Sequence, residues 1–313
     1  MPVFKIHHIT RYEYDRPVKE SVNEIRIFPY QGPGQEVLHQ ELNITTQPAL
    51  QTYFDYWGNK SGIFNVMPQH TELVIENKLL IRTTASSQLR INFHGSFEQL
   101  RDETSNDLLL LELAAADNIH NQPAIDAILS GITGPGITVA ATVERCSEHI
   151  FKYFKYIKGI THINTTVDEI LEHRSGVCQD FAHLLLQMLR TLHIPGRYVS
   201  GYICPNKNGM RGEGATHAWV EAWLPGYGWA GIDPTNNVWV TNTHVKLAVG
   251  RHFTDCSPVK GTFKGPARQK LSVYVSVGYE DGQVFEEMNN VHLQAQPGQP
   301  GEEIPEGTFA QQQ

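Results

Sequence analysis

The sequence predicts an α+β protein, with an antiparallel β-sandwich first and a helix-rich segment returning to strands after it. Three observations lead there. Apolar and polar residues alternate from Phe4 to Thr84, the two-residue period of half-buried strands. Helical spacing takes over near residue 97 and holds to Pro195. Alternation then returns. With 313 residues, the chain is long enough for one large domain or two ordinary ones, each with a proper core.

The first part divides into strands over 4–14, 20–30, 39–48, 51–59, 62–67 and 72–84. Turn clusters separate them, among them Asp15-Arg16-Pro17, Gly32-Pro33-Gly34 and Gly58-Asn59. Short strands at this spacing suggest a sandwich. Helices are expected over 107–120, over 122–132 with Pro123 in a first turn, and over 139–157. The last has an apolar stripe of Val139, Val143, Cys146, Ile150 and Phe154, which makes Cys146 a core thiol. A loop (158–166), a short helix (167–174) and a long apolar run (175–196) follow. Strands are then expected over 196–204, 216–225, 228–236 and 270–280, with a polar loop at 205–215. From Gln294 the chain is dominated by Gln, Gly, Pro and Glu, a composition that cannot bury a core and is expected to be disordered. The expected organisation is therefore a sandwich over 1–90, a second domain over 91–293 and a tail over 294–313.

Composition narrows the function. An apolar fraction of 40%, a charged fraction of 19% and a net charge of −8 describe an ordinary globular protein without a field to attract nucleic acid or anionic lipid. No run of apolar residues approaches the roughly 18 that a transmembrane helix needs, and the first residues alternate rather than forming a signal-peptide core. A cytoplasmic protein without nucleic-acid or membrane partners is expected. The four cysteines, Cys146, Cys178, Cys204 and Cys256, never fall in a C-x-x-C pair. That argues against a disulfide framework and against structural zinc. The histidines include no H-E-x-x-H motif, and no spaced Asp/Asn run resembles a calcium loop, so no cofactor or metal is expected.

Chemistry concentrates in three places. Ser175-Gly176-Val177 delivers Cys178 to the first turn of the long apolar helix. There, unpaired N–H groups and the positive end of the helix dipole favour thiolate over thiol. Read alone, Cys178 fits equally a buried small residue at a helix start. Downstream, the strands 216–225 and 228–236 are joined through Pro225-Gly226-Tyr227-Gly228, a hairpin turn. Alternation puts His217, Trp219, Glu221 and Trp223 on one face, and a hairpin folding near residue 225 puts Asp233 opposite His217 or one pair away on that face. A carboxylate there fixes the imidazole tautomer, leaving the other nitrogen to address a thiol.

The runs GVCQDFAHLLLQMLRTLHIPGRYVSGY, THAWVEAWLPGYGWAGIDPTNN and HVKLAVGRHFTDCSPVKG resemble the bacterial transglutaminase-like family. The resemblance extends over most of the chain, with the signatures in 150–265 and a small β-domain ahead of them. It implies a papain-like core, a nucleophile helix packed on an antiparallel sheet, with Cys178 as nucleophile, His217 as general base then acid, and Asp233 as the orienting residue. The backbone N–H of Cys178 and a side chain upstream, for which Tyr156 is the candidate, would form the oxyanion hole. Gln179 and Asp180 are candidates either to line the site or to serve the helix N-terminus electrostatically, Trp219 to wall the cleft, and loop 205–215 to form a substrate lip. Residues 235–237 and 244–250 match the pattern in a structural capacity. The implied reaction is acyl transfer on a peptide or amide bond through a thioester, with hydrolysis favoured because it needs no second-substrate site. Transamidation, an arylamine acyltransferase, a non-catalytic interaction module and a thiol sensor at Cys178 are the rivals. An arylamine acyltransferase would carry its nucleophile nearer the N-terminus, and a sensor would have a resolving cysteine close by.

Overall fold

In the computed structural model, residues 1–84, 94–204, 210–212 and 216–280 are described throughout, and 284–291 and 307–310 as backbone only. The first six strands are β1 (Val3–Val18), β2 (Glu20–Ile25), β3 (Gln35–Ile44), β4 (Gln51–Phe54), β5 (Lys60–Val66) and β6 (His70–Thr83). Four helices follow: α1 (Phe97–Ser105), α2 (Leu108–Ala114), α3 (Gln122–Ser130) and α4 (Val139–Tyr153). A two-residue strand, β7 (Lys155–Tyr156), leads to α5 (Val167–His173), then β8 (Ser175–Gly176) and α6 (Cys178–Thr191). Next come β9 (Gly196–Ile203), β10 (Thr216–Leu224), β11 (Gly228–Asp233), β12 (Val238–Trp239) and β13 (His244–Gly250). The chain closes with α7 (Phe253–Cys256), β14 (Val259–Lys264), β15 (Gln269–Tyr279), β16 (Val284–Val291) and β17 (Gly307–Ala310).

The sandwich is built from both ends of the chain. One sheet has the order β16-β15-β1-β6-β3, the other β17-β14-β2-β5-β4. Alternate residues of both, such as Phe4, Ile6, Ile25, Phe64, Ile75, Val259 and Val275, share one core. The sandwich is thus not confined to residues 1–90. Strands β14 to β16 of the stretch expected to belong to the second domain complete it, because β1 needs β15 on its free edge (Phe4↔Tyr279 through Tyr14↔Gln269). The tail also departs from expectation, since β17 pairs with β14; 292–306 and 311–313 lie outside the described residues.

Helix α6 is buried on nearly every side, its polar Gln179, Asp180, Gln187 and Arg190 included. Leu184, Leu185, Leu186, Met188 and Leu189 are within 1% of full burial, each contributing roughly 1.5–3 kcal/mol by the usual transfer scale. Its one buried cation, Arg190, donates to the carbonyls of Gly196 and Arg251 and to Asp117. Against α6 lie α2 to α5 and the sheet β12-β11-β10-β9-β13, to which β10 contributes Ala218, Val220, Ala222 and Leu224. Expected helices shorten where their signals end. The 107–120 helix stops at Ala114, after which the chain extends through Ala115. The 139–157 helix stops at Tyr153, where Phe154 turns extended and the backbone joins β8 instead. Tyr156 is therefore a strand residue beside the loop that leads to Cys178 and not a helix residue.

Candidate active site

The loop that leads to Cys178 is shaped by one glycine and one carboxylate. Asp180, in the first turn of α6, folds back so that its Oδ2 accepts the N–H of Val177 at 2.7 Å. A Cβ on Gly176 would stand 2.7 Å from both Asp180 Cβ and Oδ2, so only glycine leaves room for that return. Because Val177 has no polar side chain, no side chain caps the first-turn N–H groups from the front. Asp180 thus serves the helix start. Gln179 is buried and donates to the Ile163 carbonyl at 3.3 Å, tying the preceding loop to the helix. Cys178 is 4% exposed.

The hairpin register puts the other two residues on the expected face. Glu221 pairs with Gly231 and Val220 with Ile232; continued, this register sets Asp233 opposite Trp219, diagonal to His217. His217 Nε2–H donates to Asp233 Oδ2 at 2.8 Å, and neither side chain has any solvent exposure. The same carboxylate accepts the Thr235 N–H (2.9 Å, Oδ1), the Asn236 amide (2.7 Å, Oδ2) and His244 Nε2–H (3.4 Å, Oδ2). The other ring nitrogen, Nδ1, has no hydrogen-bond partner at strict geometry among the described residues. The Cys178 side chain lies near enough to this imidazole to act on its charge.

Electrostatics follow from this packing. Burial alone would lower the His217 pKa, but the Asp233 charge, then Cys178, outweigh it and raise it to about 10. Burial of Asp233 is outweighed in turn by His217 and His244, which hold it well below the usual carboxylate range. Burial pushes the Cys146 thiol up to about 12, and the Cys204 and Cys256 thiols well above their ordinary value. Those three are core thiols, as expected for Cys146.

The remaining candidates fall into place around this centre. Trp219 is buried, its ring stacked on His217 with centroids 6.4 Å apart, so it backs the imidazole rather than walling an open cleft. Tyr156 pairs with Gly176 across β7 and β8 and sits edge-on to Phe181 of α6. Of the expected lip, 205–209 and 213–215 lie outside the described residues. Gly212 (φ +78°) approaches so closely that a Cβ there would be 3.0 Å from His217 Nδ1 and 3.9 Å from the Tyr156 hydroxyl. Asn236, read from the sequence as structural, accepts the Arg211 N–H at 2.7 Å and donates to the Arg211 carbonyl at 3.2 Å as well as to Asp233. Arg211 lies over the Phe151 ring, 4.5 Å from its centroid. The sequence signal for Asn236 was its place directly after the Asp-Pro-Thr turn.

His217, Asp233 and His244 are metal-ligand types with donor atoms within 4.8 Å of one another. The Asp233 oxygen among them is already met by an amide and two imidazoles. A cavity of about 280 Å³ between α4 and β11–β12, lined by Glu144, Glu148, Asn237 and Trp239 among others, contains no residue of this cluster.

Residues 126–234 match the Transglutaminase-like superfamily, and residues 4–82 the bacterial transglutaminase-like N-terminal region. An uncharacterized protein of Mycobacterium leprae is 31% identical over 282 residues, spanning 87% of this chain and 97% of its own. One of Mycobacterium tuberculosis is 29% identical over 272 residues, 82% of this chain and 86% of its own. A protein-glutamine gamma-glutamyltransferase of Pseudomonas aeruginosa is 31% identical over 133 residues, 41% of this chain but 20% of its own. Among solved structures, a cysteine-protease candidate from Cytophaga hutchinsonii has the same fold, with a TM-score of 0.68 at 19% identity over 99% of this chain and 98% of its own. The chain belongs to the transglutaminase-like superfamily.

Proposed function

We propose that the protein is a cysteine-dependent acyl-transfer enzyme that hydrolyses a peptide or amide bond. The observation that carries this reading is the His217 imidazole, bound through Nε2 to a buried carboxylate and turned through Nδ1 toward a thiol at a helix start. Cys178 Sγ, as thiolate, attacks the substrate carbonyl carbon and forms the C–S bond. The oxyanion meets the Cys178 N–H, with Tyr156 Oη as the candidate second donor. On collapse the C–N bond breaks and His217 Nδ1–H protonates the departing amine, leaving a thioester. Neutral His217 then takes a proton from water as it attacks. The C–S bond breaks, releasing the acid and restoring the thiolate beside an imidazolium. Asp233 keeps Nε2 protonated and offsets the imidazolium charge throughout.

Transamidation is the second reading, favoured by the similarity over 133 residues to the Pseudomonas aeruginosa transferase. A primary amine in place of water would resolve the same thioester. The cytoplasm remains the proposed location, in keeping with four free cysteines; no helix among the described residues is long and apolar enough to cross a membrane.

The test is iodoacetamide labelling followed by peptide mass spectrometry. Cys178 is expected to react at pH 6 while Cys146, Cys204 and Cys256 do not. Equal rates at all four would end the acyl-transfer reading and favour a non-catalytic module. A glutamine-peptide assay with and without a primary amine then separates the outcomes, and amine incorporation in excess of hydrolysis would replace hydrolase by transferase.

A further inference from the structure

Asp233 faces two imidazoles, and the second comes from far away in the sheet. His244 begins β13, three places from β11 in the order β11-β10-β9-β13, a separation of roughly 14 Å at ordinary strand spacing. The chain bridges it after β12. Val240 packs over Gly231 and against Trp219, Thr243 accepts the Cys204 N–H, and His244 arrives with its side chain fully buried and Nε2 3.4 Å from Asp233 Oδ2. The ring stands edge-on to Trp219 at 5.2 Å and tilted to His217 at 6.1 Å. Its Nδ1 lies 3.3 Å from the Thr243 hydroxyl.

The protonation state sets what this ring can do. Burial lowers the His244 pKa, the Asp233 carboxylate opposes that, and the charge on His217 adds to the lowering. The groups acting on it are Asp233 and His217, the latter also facing Cys178; Lys246 and Glu221 on the same sheet pair with each other. A neutral ring can donate one N–H, and Asp233 is the acceptor at Nε2.

We propose that His244 is a positioning residue of the active site, its Nε2–H holding the Asp233 carboxylate in the plane that aims His217 Nδ1 at Cys178. This rests on the acyl-transfer reading, and acts through Asp233 rather than by touching substrate. A histidine that merely filled the core would affect stability alone. A positioning one changes how the Cys178–His217 pair responds to pH.

Two amides of different reach separate these cases. In His244→Gln the side-chain N–H falls near the place of Nε2; in His244→Asn it falls near Nδ1 and stops short of Asp233. The readout is the iodoacetamide rate of Cys178 from pH 4 to 9, with thermal unfolding followed in parallel. For His244→Asn, loss of a hydrogen bond to a charged group predicts a rate at pH 6 about tenfold lower and an acid limb about one pH unit higher. His244→Gln is expected to stay within about threefold of wild type. Equal profiles for the two amides, or an unshifted limb in both, would overturn the proposal while leaving Cys178 reactive and the triad reading intact. Should wild-type Cys178 react no faster than the other cysteines, the triad reading itself fails. Protection of wild-type Cys178 by micromolar Zn²⁺, lost in His244→Asn with an unshifted metal-free profile, would make the cluster a metal site and overturn the positioning role. If His244→Asn does not fold, His244→Leu, which keeps side-chain bulk without a donor, takes its place beside His244→Gln. A limb shifted in His244→Leu but not in His244→Gln supports the proposal, and equal shifts overturn it.

Discussion

His217 and Glu221 lie on one face of β10, both buried, and they are satisfied in opposite ways. Glu221 is saturated. Arg197, directly across on β9, donates to it at 2.7 Å, and Lys246 reaches it from β13. The two cations themselves rest on aromatic faces, Arg197 on Trp229 and Lys246 on Tyr30. His217 is saturated on one side only: Nε2 is bound, and Nδ1 has no hydrogen-bond partner among the described residues. The same strand thus carries a closed ion-pair cluster and an imidazole–carboxylate pair satisfied on one side only. The difference is not burial or charge but whether one polar atom remains for chemistry.

The largest expected effect breaks the open member. His217→Ala should lower the pH 6 iodoacetamide rate of Cys178 by at least ~100-fold, the ordinary scale of a lost general base, as followed by mass spectrometry. Glu221→Ala should do the reverse. It strands two half-buried cations and is expected to cost about 1–3 kcal/mol in urea unfolding, while Cys178 of the folded variant reacts within about twofold of wild type.

The pair also predicts opposite pH limbs of stability. Burial of Glu221 is outweighed by Lys246 and Arg197, which lower its pKa from 4.5 to about 2. Its contribution is present above pH 4.5 and lost as pH falls through about 2, so Glu221→Gln should flatten the acid decline in stability by about 3 kcal/mol. His217, raised from 6.5 to about 10, contributes fully below pH 6.5 and loses its contribution as pH rises through 10. His217→Ala should therefore flatten the alkaline decline instead, measured as unfolding free energy against pH. The smallest effect tests the nucleophile's seat. Asp180→Ala removes the acceptor of the Val177 N–H and should cost about 1 kcal/mol, with a correspondingly small fall in melting temperature.

Local periodicity carried much of this into the sequence. The β10–β11 hairpin could be read because a two-residue period and a short turn leave few registers, and that register placed His217 and Asp233 on one face. Gly176 and the apolar run after it made the start of α6 legible in the same way. What could not be read depends on contacts distant in sequence. No local pattern shows that β15 seals the edge of β1, that Tyr156 leaves α4 to join β8, or that His244 crosses the sheet to reach Asp233. Asn236 was legible as a turn residue, but its double hold on Arg211 and Asp233 exists only once the loop has folded back.

The shared ownership of the sandwich has a consequence for how the chain is made. β1 and β6 leave the ribosome early, while β14 and β15 follow only after everything from Phe97 to Cys256 has been synthesised. At ~5–20 residues per second, the exposed edge of β1 waits through roughly ten to forty seconds of translation for its partner, an interval in which unpaired strands on neighbouring polysomes can find each other. Stop codons or slow codons placed just before Gln269 should therefore send this protein into inclusion bodies, although Cys178, His217, Asp233 and His244 have by then all been made.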